Sequence, residues 1–175
     1  LVMGKAIHIT GTAGTGKTAV SNELIKHGVK VFDMGSVPGL CVWKNRQTDE
    51  VVKYPEQAGQ DWVDAHKRVC DVDKLKQLIN EQDKLTVITG LAKGNQDEYL
   101  KIFDKIFLLQ CSPEVLLERL KTRTTNVYAK TPEEQKTTLQ NQKLFDSSMI
   151  KKGAIPIDNS KDSVSETALH LISQF

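Results

Sequence analysis

Gly11-Thr12-Ala13-Gly14-Thr15-Gly16-Lys17-Thr18 matches the pattern G-x-x-x-x-G-K-[ST] at every fixed position, and its flanks decide the fold. Upstream, Lys5-Ala6-Ile7-His8-Ile9-Thr10 is a short apolar run that reads as a buried strand. Downstream, Ala19 to His27 reads as a helix closed by Gly28. A glycine-rich turn between a strand and a helix lets successive backbone N–H groups converge on phosphate oxygens, with the positive end of the helix dipole behind them. Lys17 adds a mobile positive charge and Thr18 a hydroxyl suited to magnesium. The expectation is a nucleoside triphosphate site.

The rest of the chain alternates in the same way. A short strand is expected over Val29 to Asp33, a helix from about Asp71 to Glu81, and strands over Leu85 to Thr89 and Lys105 to Gln110. Ser112-Pro113-Glu114 and Thr131-Pro132-Glu133-Glu134 each open a helix with a capping residue, a first-turn proline and an acid, the second as a capping box. A last strand near Ala154 to Ile157, with Pro156 favouring an edge position, precedes a helix from Ser163 to Ser173. This order implies an α/β fold, a three-layer α/β/α sandwich around a parallel sheet of about five strands, in a single domain over residues 3–175.

Composition limits the functions available. With 39% hydrophobic and 26% charged residues, the 175-residue chain can bury a core without disulfides. Its 24 basic and 22 acidic residues give a formal charge of +2, too little for broad nucleic-acid binding. Cys41, Cys70 and Cys111 lack C-x-x-C spacing, which argues against a disulfide framework and a zinc site and for reduced thiols in a cytoplasmic protein. Neither a membrane-length apolar run nor a signal-peptide pattern is present. A lone histidine in a strand, His8, reads as a core side chain, and Cys111 as a small buried hydrophobe.

Two segments break the alternation and are the expected seats of specificity. The insertion Met34 to Cys70 reads as irregular and holds both tryptophans, Trp43 and Trp62, among cations that include Arg46 and Arg68. Such a set either stacks on a ring and holds its anionic group or packs a small helical flap on the core. The polar stretch Thr124 to Lys130, between two helices, reads as a lid. Arg119 and Arg123, four apart before that lid, share a helix face and either cross transferring phosphate charge or complement a helix end.

Together these features resemble the adenylate kinase and shikimate kinase group of P-loop phosphotransferases. The resemblance runs from Met3 to the C-terminus and rests on the phosphate loop, Asp33 closing the second strand, the insertion after it and the R-x-x-x-R pair. It extends to small nucleotide kinase-like proteins through Val37 to Cys41, Asn95 to Tyr99 and Gln110 to Glu114. The resemblance implies that Gly11 to Thr18 hold ATP phosphates and Thr18 binds Mg2+. It implies that Lys17 bridges the β- and γ-phosphates, with Arg119 near adenine and Arg123 near the transferring phosphate. Asp33 takes the place of the acid that orients an acceptor hydroxyl or a metal-bound water; alternatively it caps the strand end.

Trp43, Trp62, Arg46 and Arg68 would then serve a small acceptor, a nucleoside or nucleoside monophosphate, in a monomer or homodimer. The alternatives are a kinase of a hydroxylated metabolite or antibiotic and a regulatory ATP-binding module. Shikimate kinases carry a second acid where this chain has Gly35, and the strand Leu85 to Thr89 lacks the terminal acid of a Walker B strand.

Overall fold

The computed structural model describes residues 5–122, 131–161 and 163–175. Five strands, β1 (Ala6–Thr10), β2 (Lys30–Asp33), β6 (Thr86–Thr89), β7 (Lys105–Gln110) and β8 (Ile155–Asp158), form one sheet in the order β2-β6-β1-β7-β8. The pairs β2/β6 and β7/β8 are parallel, as the strand–helix alternation requires. Every residue of β1 and β6 is buried, which is why β6 reads as an unbroken apolar and β-branched run and β1 as one interrupted only by His8. β8 lies at the edge of the sheet, where Pro156 leaves no internal ladder bond unmade. The α/β sandwich expected from the alternation is the fold observed.

The chain divides into two compact units. Leu1–His8 with Lys30–Asp104 makes one and Ile9–Val29 with Lys105–Phe175 the other.

In the first unit, the insertion is not irregular and not a helical flap. β3 (Cys41–Asn45), β4 (Val51–Val52) and β5 (His66–Cys70) form a second, antiparallel sheet in the order β4-β3-β5, and only α2 (Gln60–Ala65) is helical. The strands escape a local reading because they are short and rich in charge, so their pairing, not their propensity, defines them. α3 (Val72–Asn80) follows, with Asp71 accepting from the Lys74 amide at 3.0 Å as its cap. The short α4 (Gln96–Tyr99) buries Tyr99. His8 is a core side chain: its ring stacks on Phe103 at 4.8 Å, and Nδ1 lies 2.9 Å from the Ile88 carbonyl, which can only accept, so the proton sits on Nδ1.

In the second unit, α1 (Lys17–Lys26) packs against α7 (Val164–Gln174), burying Val20 and Leu24 on one side and Ala168 and Leu171 on the other. α5 (Pro113–Thr122) starts with Ser112 Oγ accepting from the Val115 amide at 3.3 Å. α6 (Pro132–Lys151) and α7 both begin with complete capping boxes, Thr131 with Glu134 and Ser163 with Glu166. Cys111 joins Leu116 and Leu120 in a small core cluster, and burial pushes its thiol pKa up. Among the described residues, no helix is long and apolar enough to cross a membrane.

Candidate active site

The loop leaving β1 is held in shape by its own side chains and by two residues from distant parts of the chain. Thr15 turns its hydroxyl back onto the Thr12 carbonyl at 2.8 Å. Lys17 Nζ donates to the carbonyls of Gly11 and Thr12, the latter at 3.0 Å, which places the ammonium over the loop instead of in the core. Gly14 and Gly16 adopt φ values of +88° and +98°, the left-handed region, and neither has room for a side chain. A Cβ on Gly14 would stand 2.8 Å from Leu116 Cδ1, and one on Gly16 2.5 Å from Asn159 Nδ2.

Arg119, on the last turn of α5, folds onto this loop. Its Nη1 lies 3.4 Å from the Gly14 carbonyl oxygen and 3.3 Å from that of Thr15, while Nη2 donates to the Asn159 carbonyl at 2.8 Å. Asn159 itself, just beyond β8, is buried and fully engaged: Nδ2 donates to the Thr15 carbonyl at 2.8 Å and Oδ1 accepts from Thr167 Oγ1 at 2.8 Å. The Thr15 carbonyl is therefore gripped by both residues. No peptide bond in the described chain is cis, so the Gly16 N–H points opposite to that carbonyl, away from Arg119 and Asn159. Sequence reading missed Asn159, because nothing local to Asp158-Asn159-Ser160 reveals that its side chain meets a loop some 144 residues away.

α1 differs from the other long helices at its start. Gly16 caps it without any side-chain bond, and its first turn carries no acid. α6 and α7 close the same end with Thr131 and Ser163 and place glutamates there. An uncapped helix start behind a loop of inward amides, with a lysine above it, suits an anion of several charges. Thr12 Oγ1 adds a buried oxygen without a hydrogen-bond partner among the described residues, and the Thr18 side chain is exposed at the first turn. These residues fit a polyphosphate. No group of three or more His, Cys, Asp or Glu that could hold a metal assembles among the described residues; the exposed Thr18 hydroxyl is the loop's oxygen suited to a magnesium ion that phosphate oxygens also bind.

The candidates on the acceptor side lie in the other unit. Asp33, ending β2, accepts from the Gly35 amide at 2.7 Å and lies 3.4 Å from Ser36 Oγ, so it caps the turn that follows. A Cβ on Gly35 would sit 3.0 Å from both Asp33 Oδ1 and Arg68 Nη2. Gly35 thus gives the guanidinium room beside the carboxylate, and a second acid in its place would crowd both. Arg68 stands directly across from Trp43 in the β3/β5 pairing. Trp43 packs on Trp62 at 5.1 Å and on Tyr54 at 5.5 Å, and Trp62 stacks on His66 at 4.0 Å. Arg46 is exposed in the turn after β3, its amide donating to the Ala65 carbonyl at 3.0 Å. The structure brings Asp33, Trp43, Trp62 and Arg68 to one region. Arg123 and the expected lid over 124–130 lie outside the described residues.

Residues 7–140 match the family model described as AAA domain. The chain belongs to the AAA-domain family. A relative of this AAA-domain chain in Methanocaldococcus jannaschii, named "Putative adenylate kinase", is 33% identical over 121 residues, covering 67% of this chain and 58% of its own length. The match thus spans less than two thirds of that relative. Among solved structures, the shikimate kinase of Acinetobacter baumannii in complex with shikimate superposes with a TM-score of 0.61 at 13% identity, covering 98% of this chain and 92% of its own. The deoxyadenosine kinase from M. mycoides with bound dATP gives a TM-score of 0.52 at 15% identity, covering 97% of this chain and 98% of its own. At such identities these two likenesses show the fold of this AAA-domain chain, a P-loop kinase fold.

Proposed function

We propose that this protein is an ATP-dependent phosphotransferase that moves the γ-phosphoryl group to a small acceptor, a nucleoside or nucleoside monophosphate, working as one catalytic domain over residues 3–175. The observation that carries the reading is the loop Gly11–Thr18, clamped through its carbonyls by Arg119 and Asn159 and backed by an uncapped helix start. Donor binding falls to the loop amides and Lys17, whose charge balances that building on the β- and γ-phosphate oxygens as the bond to the leaving group loosens. Thr18 is the residue of the loop that would hold Mg2+, which supplies further charge neutralisation when bound. Asp33 orients the acceptor hydroxyl, and its bonds from Gly35 and Ser36 fix the carboxylate in place. Arg68 holds an acceptor phosphate where one is present, with the Trp43–Trp62 pair offering a flat apolar edge for a base.

ATP consumption against a panel of nucleosides, nucleotides, sugars and hydroxy acids tests this reading. A kinase forms ADP only as fast as acceptor is phosphorylated. ADP and free phosphate released without acceptor would replace it with a regulatory ATPase.

Three substitutions sharpen the assignment. Arg119→Ala removes bonds to three carbonyls of the donor cradle, so ATP affinity should fall about tenfold in a nucleotide titration; an unchanged Kd would reduce Arg119 to helix-end packing. With a monophosphate acceptor, Arg68→Ala should raise the acceptor KM steeply, by roughly tenfold or more, while Arg46→Ala leaves it near the parent value. Equal effects of the two would place the acceptor elsewhere. Asp33→Asn should depress transfer and leave ATP affinity nearly intact, and parental turnover in that variant would confine Asp33 to its turn-capping role.

A further inference from the structure

Cys41 and Cys70 are direct partners across β3 and β5. The hydrogen bonds around them fix which kind of antiparallel pair they form. The Asp71 amide donates to the Leu40 carbonyl at 2.8 Å, and at the other end of the ladder the Arg46 amide donates to the Ala65 carbonyl at 3.0 Å. Both bonds bracket narrow, non-hydrogen-bonded pairs, so Cys41/Cys70, Trp43/Arg68 and Asn45/His66 are the close pairs of the ladder. In such a pair the Cα atoms lie about 4.5 Å apart and the Cβ atoms face each other on one side of the sheet. That separation falls inside the range a disulfide spans, about 4.4–6.8 Å between Cα atoms.

The backbone of Cys70 is also pinned. Its amide donates to Asn95 Oδ1 at 2.8 Å and its carbonyl accepts from Asn95 Nδ2 at 2.7 Å, as the outward-facing groups of a narrow pair should be satisfied. The two sulfurs are unequally exposed, with Cys70 buried and Cys41 partly open. They are also unequally charged. The Cys70 S–H lies 3.7 Å from the Asp71 carbonyl, and turned toward the facing Cys41 it can donate to that sulfur instead. Its donation to Cys41, helped by the Arg68 guanidinium and opposed by burial and by Asp33, holds the Cys41 thiol below the usual range. The Cys70 thiol is pushed up, first by that same bond and then by burial. The more open sulfur, Cys41, is thus the one that ionises first.

We propose that Cys41 and Cys70 are a reversible thiol pair that a hydroperoxide converts into an intramolecular disulfide. The Cys41 thiolate attacks one peroxide oxygen; the O–O bond breaks and the leaving oxygen departs as water, or as alcohol, after taking a proton. Cys41 is then a sulfenic acid, oxidised by two electrons while the peroxide is reduced by two. The Cys70 sulfur attacks the Cys41 sulfur, the S–O bond breaks, and the hydroxyl leaves as water with the Cys70 proton. A dithiol restores both thiols. The cross-link ties β3 to β5 beside Arg68, and nothing in its formation depends on phosphoryl transfer.

The experiment is hydrogen peroxide treatment of the reduced protein, read by intact mass and by peptide mapping after alkylation. The expected product has lost two hydrogens, yields a single linked peptide pair joining Cys41 to Cys70, returns to the starting mass with dithiothreitol, and keeps Cys111 alkylatable under denaturing conditions. In Cys70→Ser the intermediate should persist, so dimedone labels Cys41 roughly tenfold more than any site in Cys41→Ser. Cys41 and Cys70 both still alkylatable after peroxide, oxygen addition without a cross-link, or linkage only between chains would each overturn the proposal. The mapping on the unsubstituted protein decides the matter even where a serine variant fails to fold. ATP turnover measured on the reduced protein is a separate readout, so loss of either result leaves the other legible.

Discussion

Lys17→Ala is expected to lose phosphoryl transfer by a hundredfold or more while keeping its fold. Lys17 donates to the carbonyls of Gly11 and Thr12, within its own loop, and its side chain is only partly buried. Truncation returns those carbonyls to water, a change worth about 1 kcal/mol of stability or less. Transfer loses more, because one fixed positive charge disappears from the place where negative charge accumulates, and such a loss costs roughly 3 kcal/mol or more of the barrier. A melting curve and an initial-rate assay on the same preparation check both halves. A folded variant with parental turnover would remove the loop from the reaction.

The contrast between Lys17 and the residues that position its loop marks how far the sequence alone could be read. The strand–loop–helix around Gly11 to Thr18 was legible because each part is set by neighbours: β1 by its apolar run, α1 by its spacing, and the left-handed turns by Gly14 and Gly16. The capping boxes at Thr131 and Ser163 were legible for the same reason, since the partners stand three residues apart. The small sheet of the insertion was not. Cys41 to Asn45 and His66 to Cys70 owe their strand conformation to pairing across more than twenty residues, and their charged, half-buried faces give no clean alternation. Gly35 reads in sequence as a missing acid; in the structure it is the gap that admits Arg68 beside Asp33. In each missed case the deciding contact lies far along the chain.

Asn159→Ala should therefore be the most destabilising change near the loop, and Asn159→Asp should be worse still. The alanine variant leaves the Thr15 carbonyl short of a donor and the Thr167 hydroxyl without its acceptor, and Thr15 and Thr167 are both buried. Each orphaned group costs about 1–3 kcal/mol, so the melting temperature should fall by roughly 5–15 °C. Aspartate keeps the shape and the acceptor for Thr167 but points a second oxygen, and a buried charge, at the Thr15 carbonyl. If Asn159 mattered only by filling space, the near-isosteric aspartate would be the milder change, so the order of the two melting points separates the readings. The same substitutions should weaken ATP binding beyond what lost stability explains. Without the Asn159 side chain, Arg119 Nη1, at 3.3 Å, is the side-chain donor among the described residues that still holds the Thr15 carbonyl outward. The Gly16 amide then loses the restraint that keeps it turned toward the phosphates. ATP affinity unchanged in a folded Asn159→Ala protein would show that the loop keeps its shape unaided.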